Sequence, residues 1–169
     1  MDKANLEYTW IPCKEGYYSH GRDGFKSILL HSTDGSKEGD IATLSGQTDR
    51  KVSVHWYITK TGEIYHFVQD KDSAFHAGQV MSSRYDNHHS LGIEQEHHDG
   101  QEEWLPVQIQ AAANLCAALQ QRHGAMEIVS HAHAAAPPGR KVDPQSYPWD
   151  TFNTLLTEAL KKHWGLTAK

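Results

Sequence analysis

The first half of the chain carries short apolar stretches of strand length. "FKSILLH" (Phe25 to His31) and "KVSVHWYITKTGEIYHFV" (Lys51 to Val68) are rich in β-branched and aromatic residues, which favour strands, and Thr61-Gly62 breaks the second into a hairpin. "SLGIEQEH" (Ser90 to His97) predicts another strand, and "EGDIATLSGQ" between the first two predicts a short helix. From Pro106 the apolar spacing lengthens. Ile109, Ala112, Cys116 and Leu119 recur at helical intervals until Gly124 stops the run. "MEIVS" then predicts a short final strand running into a loop. In the last segment Phe152, Leu155, Leu156, Ala159, Leu160 and Trp164 fall on one helical face and predict an amphipathic closing helix. The pattern implies an α/β (α+β) single domain, a central mixed sheet of about five strands flanked by helices.

Composition narrows the class. A chain of 169 residues suits one domain, residues 1–169, and no internal repeat divides it. Hydrophobic content of 38% with 22% charged residues is globular rather than disordered, and no run approaches the roughly 20 apolar residues of a membrane span. The start, "MDKANLEYTWIP", lacks the basic, apolar and small-residue sections of a secretory signal, so synthesis in the cytoplasm is expected. Cys13 and Cys116, with no CxxC spacing, are expected to be buried thiols. A net charge of −5 and the lack of a basic block argue against nucleic acid as a partner. Histidine is the outlier, with 13 residues of a type that titrates near neutrality and binds metals.

Several of these histidines stand where chemistry can be built. His31 closes a strand, where side chains leave the core. Alone it reads as a core histidine satisfied by a hydrogen bond. The stretch "VSHAHAAAPPGRKVDP" (Val129 to Pro144) adds His131 or His133 just past a strand and Asp143 across a Pro-Pro-Gly turn. Two histidines and a carboxylate form a hydrolytic zinc set with one position open for water. Lys141, two residues from Asp143, is a solvated lysine or, beside a metal, a stabiliser of a developing oxyanion. Glu94, near apolar Leu91 and Ile93, is a surface carboxylate or a general base with a raised pKa. His76 in "HAG" could line a cleft, whereas His88, His89, His97 and His98 are expected to be exposed.

"ILLHST", "VSVHWYITKTGEIYHFVQD", "AFHAG", "NHHSLGIEQE" and "SHAHAAAPPGRKVDP" occur in the order and rough spacing of the type-2 N-acetylmuramoyl-L-alanine amidases, which include phage endolysins, bacterial recycling amidases and peptidoglycan recognition proteins. The resemblance runs from about Lys26 to Phe152. It implies a zinc hydrolase that cuts the amide between N-acetylmuramic acid and the L-alanine opening the peptide stem. His31 matches the first zinc ligand and Asp143 the third. The strand places the middle ligand at His131, and counting back from "PGRKVDP" places it at His133, so His133 is the alternative. Lys141 matches the lysine that steadies the tetrahedral intermediate, and Glu94 matches the acid that activates water in recycling-type members. His55, His76 and Asn87 are expected to bind substrate. Val54 stands where phage lysozyme-type relatives carry a catalytic tyrosine, and Tyr57, three residues on, is expected to face elsewhere, which favours the glutamate mechanism.

The resemblance further implies action on peptidoglycan or muropeptides; a monomer is expected, without nucleic acid or membrane span and without a separate wall-binding domain. A lytic, endolysin-type enzyme released to the wall through a separate pore is the expected form. A cytosolic recycling amidase and a non-catalytic wall-binding module are the alternatives, and an unrelated zinc peptidase fits the ligands but not "GRKVDP" with "GIE".

Overall fold

The computed structural model describes residues 3–169. Its main sheet has seven strands in the order β8-β3-β7-β4-β5-β1-β9. These are β1 (Lys3–Trp10), β3 (Ser27–Leu30), β4 (Trp56–Ile58), β5 (Ile64–His66), β7 (Ser90–Gln95), β8 (Glu127–Ser130) and β9 (His163–Ala168). A separate ribbon pairs β2 (Tyr18–Ser19) with β6 (Ser73–Ala74). The helices are α1 (Lys37–Leu44), α2 (Pro106–His123), the single turn α3 (His131–Ala134) and α4 (Trp149–Ala159).

Five of the seven main strands are those the pattern predicts; β1 and β9 correct the expected number. β1 alternates outward and inward residues along "KANLEYTW" and pairs in parallel with both β5 and β9. The closing helix also ends sooner than expected. α4 stops at Ala159, and Trp164 lies in β9 with its indole N–H donating to the Ala159 carbonyl at 2.9 Å, which caps the helix end from outside.

The sheet separates two environments. On one face Ile28, Leu30, Trp56, Ile58, Leu91 and Ile93 pack with Ile109, Leu115, Leu119 and Phe152 into the largest core cluster. Each fully buried Leu or Ile there contributes about 1.5–3 kcal/mol. Strands β8, β3, β7 and β4 are mutually parallel, so their C-terminal ends open at the same edge. In open α/β sheets that edge is where ligands bind. Among the described residues no helix is long and apolar enough to cross a membrane.

Near the core Asp70 is buried and accepts hydrogen bonds from Trp56 Nε1 and His123 Nε2, each at 2.8 Å. Burial works to raise its carboxyl, but the His123 and His66 rings outweigh that and hold it below the usual carboxylate range. A carboxyl depressed in the folded state adds stability that is fully present above its unfolded value of about 3.9 and is lost as pH falls below it. Asp70→Asn should therefore cost about 1.5–3 kcal/mol at neutral pH, read from urea midpoints, and flatten the loss of stability below about pH 4. An acid limb identical to the parent's would contradict this assignment.

Candidate active site

Register brings the candidate residues level. Leu30 of β3 pairs with Ile93 of β7 and with Ser130 of β8, so one residue further on His31 stands between Glu94 and His131. The His31 N–H donates to the Ile93 carbonyl at 2.9 Å, extending the ladder to that level. Asp143 arrives from the loop after α3, whose backbone is tied down where the Ala132 N–H donates to the Asp143 carbonyl at 2.9 Å. The Ser130 hydroxyl caps α3 by accepting from the His133 N–H at 3.0 Å. That cap turns the chain sharply at His131 and leaves its buried ring beside His31.

The three side chains form a compact set. His31 Nδ1 is 3.0 Å from His131 Nδ1, His131 Nδ1 is 3.1 Å from Asp143 Oδ2, and His31 Nδ1 is 3.5 Å from Asp143 Oδ2. The far nitrogens have other partners: His131 Nε2 faces the Ala77 carbonyl at 3.0 Å and His31 Nε2 faces His76 Nδ1 at 3.0 Å. A carbonyl can only accept, so His131 carries its proton on Nε2 and presents a lone pair from Nδ1. Tetrahedral zinc with N and O ligands at about 2.0–2.2 Å sets those atoms roughly 3.3–3.5 Å apart, and the 3.0, 3.1 and 3.5 Å found need spread by only a few tenths of an ångström to take that ion. Burial foremost, then His131, holds the His31 imidazole down to about 4, which keeps it in the neutral, ligating form at neutral pH. Among the described residues this is the group of His, Cys, Asp and Glu side chains that could hold a metal.

His133 is not in that group. It is exposed on α3 with its ring edge-on to Tyr85 at 5.9 Å, so the geometry selects His131 as the middle residue.

Around the set lies a cavity of about 620 Å³ whose wall includes His76, Glu94, Lys141 and Val142. Glu94 Oε2 is shielded from solvent and has no hydrogen-bond partner. Burial first, and then the Asp143 and Asp40 carboxylates, push its carboxyl well above the usual range. Lys141 and the exposed Val142 immediately precede Asp143, and all three line the cavity. Glu96, by contrast, is spent on the backbone N–H groups of Lys37 and Lys60, at 3.2 and 2.9 Å.

Other expected residues lie elsewhere. His55 is fully buried; its Nδ1 accepts from the Gly92 N–H and its Nε2 donates to the Asp72 carbonyl, both at 3.0 Å, so no surface or free nitrogen remains for a substrate. Burial, with Arg22 behind it, pushes that ring down to about 3. Asn87 stands outside the cavity wall and accepts from the backbone N–H groups of His76 and Ala77. His97, expected to be exposed, is buried and stacked on Trp104 at 3.7 Å. Tyr57 does not face elsewhere: it pairs in register with Glu94, on the same sheet face, and its hydroxyl donates to Asp40 Oδ2 at 2.8 Å.

Two contributors escaped the sequence reading. Arg140 donates to the carbonyls of Ala136, Ala77 and Gln79 at 3.0, 3.2 and 2.7 Å, stapling the Asp143 loop to the His76 segment. Its place in "GRKVDP" was the available signal. Asp40 lines the cavity and is buried against Thr33 and Tyr57, and its position in α1 gave no cue.

Comparison with known proteins agrees with this geometry. The sequence profile of the family described as N-acetylmuramoyl-L-alanine amidase matches residues 21–146. The 1,6-anhydro-N-acetylmuramyl-L-alanine amidase AmpD of Citrobacter freundii is 32% identical over 121 residues, 70% of this chain and 64% of the relative, so the match spans just under two thirds of that protein's length. A crystal structure of an AmpD selenomethionine derivative superposes with a TM-score of 0.78 at 26% identity, covering 89% of this chain and 95% of that one. AmiD from E. coli, in complex with the substrate anhydro-N-acetylmuramic acid-L-Ala-D-γ-Glu-L-Lys, superposes with a TM-score of 0.68 at 27% identity over 79% of this chain and 58% of that one. With most of its length matched by the family profile and its site assembled as described, the chain belongs to the N-acetylmuramoyl-L-alanine amidase family.

Proposed function

We propose that the protein is a zinc-dependent amidase that hydrolyses the bond between the lactyl group of N-acetylmuramic acid and the L-alanine of the stem, acting on soluble anhydromuramyl peptides. The observation that carries this reading is the convergence of His31, His131 and Asp143 within 4.8 Å, level with an unpartnered Glu94. All the positions needed for hydrolysis hold competent groups, which favours a catalyst over a binding module. The soluble-fragment reading rests on the relatives, one named as an anhydromuramyl amidase and another bound to an anhydromuramyl peptide.

Zinc, held by His31, His131 and Asp143, would supply Lewis-acid activation of the scissile carbonyl and the attacking water. The chain's own groups do the rest. Glu94 accepts the proton of the water as it attacks the carbonyl carbon, and then donates it to the alanine nitrogen as the C–N bond breaks. Its unpartnered oxygen leaves it free for both transfers. The Lys141 ammonium stabilises negative charge on the carbonyl oxygen, and the shielded walls strengthen that attraction. Tyr57 takes no part in the proton transfers because its hydroxyl is committed to Asp40.

Incubation with a soluble anhydromuramyl peptide, with mass spectrometry of the products, tests the reaction. The expected products are anhydro-N-acetylmuramic acid and a stem with a free L-alanine amino terminus. Cleavage inside the peptide would make the protein a peptidase instead. Purified walls run in parallel test the lytic, endolysin-type form: faster release from intact wall than from soluble fragments would replace the soluble-substrate reading.

A further inference from the structure

We infer that Asn87 is a positioning residue for the metal centre, holding through its carboxamide oxygen the dipeptide His76-Ala77, which in turn orients both histidine ligands. This rests on the zinc reading above. The far nitrogens of the two ligand rings meet adjacent residues: His31 Nε2 faces His76 Nδ1 and His131 Nε2 faces the Ala77 carbonyl, both at 3.0 Å. The backbone N–H groups of the same two residues both donate to Asn87 Oδ1, at 3.1 and 2.9 Å. One side-chain oxygen therefore fixes the segment that presents an acceptor to each ring.

The proton order follows from the far end of the network. The Ser90 hydroxyl donates to the Asp86 carbonyl at 2.7 Å, which leaves its lone pairs for His76 Nε2–H at 3.3 Å. With that proton on Nε2, His76 Nδ1 is an acceptor and accepts the hydrogen bond of His31 Nε2–H. His31 then presents a lone pair from Nδ1, as His131 does through Ala77. Both rings are set in the same tautomer by one strip of chain, although they come from strand ends a hundred residues apart.

Gly92 makes the arrangement sterically available. A Cβ at that position would lie 2.6 Å from His76 Cγ and 2.7 Å from its Nδ1, so the ring packs onto β7 only because the residue beneath has no side chain. Asn87 does not itself line the cavity and makes no hydrogen bond to the ligand cluster; its effect passes through His76 and Ala77. Partners that orient metal-ligating histidines are ordinarily worth 10- to 100-fold in metal affinity.

The test measures zinc affinity of the metal-free full chain by competition with a chromophoric chelator, with urea midpoints recorded alongside. Asn87→Ala should bind zinc about 10- to 100-fold more weakly than the parent, and Asn87→Asp, which keeps an acceptor oxygen, should recover most of the loss. Gly92→Ala should weaken binding without altering Asn87. Parent-like affinity in Asn87→Ala, or no recovery in Asn87→Asp, overturns the inference. Should Asn87→Ala not fold, nitrogen-15 NMR of the zinc-free parent at about pH 8, above the ordinary imidazole range, decides it. Both ligand rings should be Nε2–H, and Nδ1–H in either refutes the inference. A parent that binds no zinc sinks the zinc reading instead, and the tautomers still judge the positioning by His76-Ala77.

Discussion

Replacing Glu94 by glutamine should leave zinc bound and the fold intact while slowing turnover by a factor on the order of a hundred or more. The amide has nearly the same volume as the carboxyl, so the wall of the cavity keeps its shape. It cannot take a proton from water at neutral pH, and that is the step proposed for this side chain. Glu94 is suited to the step by its surroundings. One oxygen is shielded and unpartnered, and burial with two neighbouring carboxylates raises its affinity for a proton. The effect should fall on kcat with KM little changed, because the residue acts in the transition state rather than in binding. Parent-like rates with a full complement of zinc would remove Glu94 from the chemistry.

His131→Ala should lose zinc and with it hydrolysis, whereas His133→Ala should retain both. The two residues are two positions apart, and by sequence His133 remains an alternative to His131, but the helical turn that begins after Ser130 sends them in different directions. His131 points into the cluster and is buried; His133 stands in solvent beside Tyr85. Removing one of three protein ligands leaves a two-ligand site that cannot hold zinc against dilute chelator, so the metal content of the purified variant is a direct readout. Zinc retained by His131→Ala and lost from His133→Ala would reverse the assignment and require a different course for the loop after β8.

The strands that carry the site were legible because their signals are local. "SILL", "WYI" and "SLGIEQ" are compact runs of strand-forming residues, and the chemistry sits just past or within them. β1 and β9 were not legible, since "KANLEYTW" alternates weakly among charged residues and "HWGLTA" continues the apolar spacing of α4; β1 joins the sheet beside β5, and β9 joins it only through β1. The ligand set could be read from residue type and order, but choosing between His131 and His133 needed the capped turn. His55 shows the opposite failure. A histidine in an apolar strand beside other candidates resembles a functional residue, and only its two occupied nitrogens reveal a core role. The orientation of Tyr57 was misjudged because which face a strand residue occupies depends on its register with β7.

On the proposed reading His31, His131 and Asp143 share one zinc ion on which cleavage of the muramoyl-alanine bond depends. Stripping the protein with chelator, dialysing, and titrating zinc back while following release of free L-alanine amino termini tests it most directly. Activity should vanish on stripping and return in proportion to added zinc, reaching its plateau at a single ion per chain. A stripped protein that still cleaves at the original rate would contradict the claim.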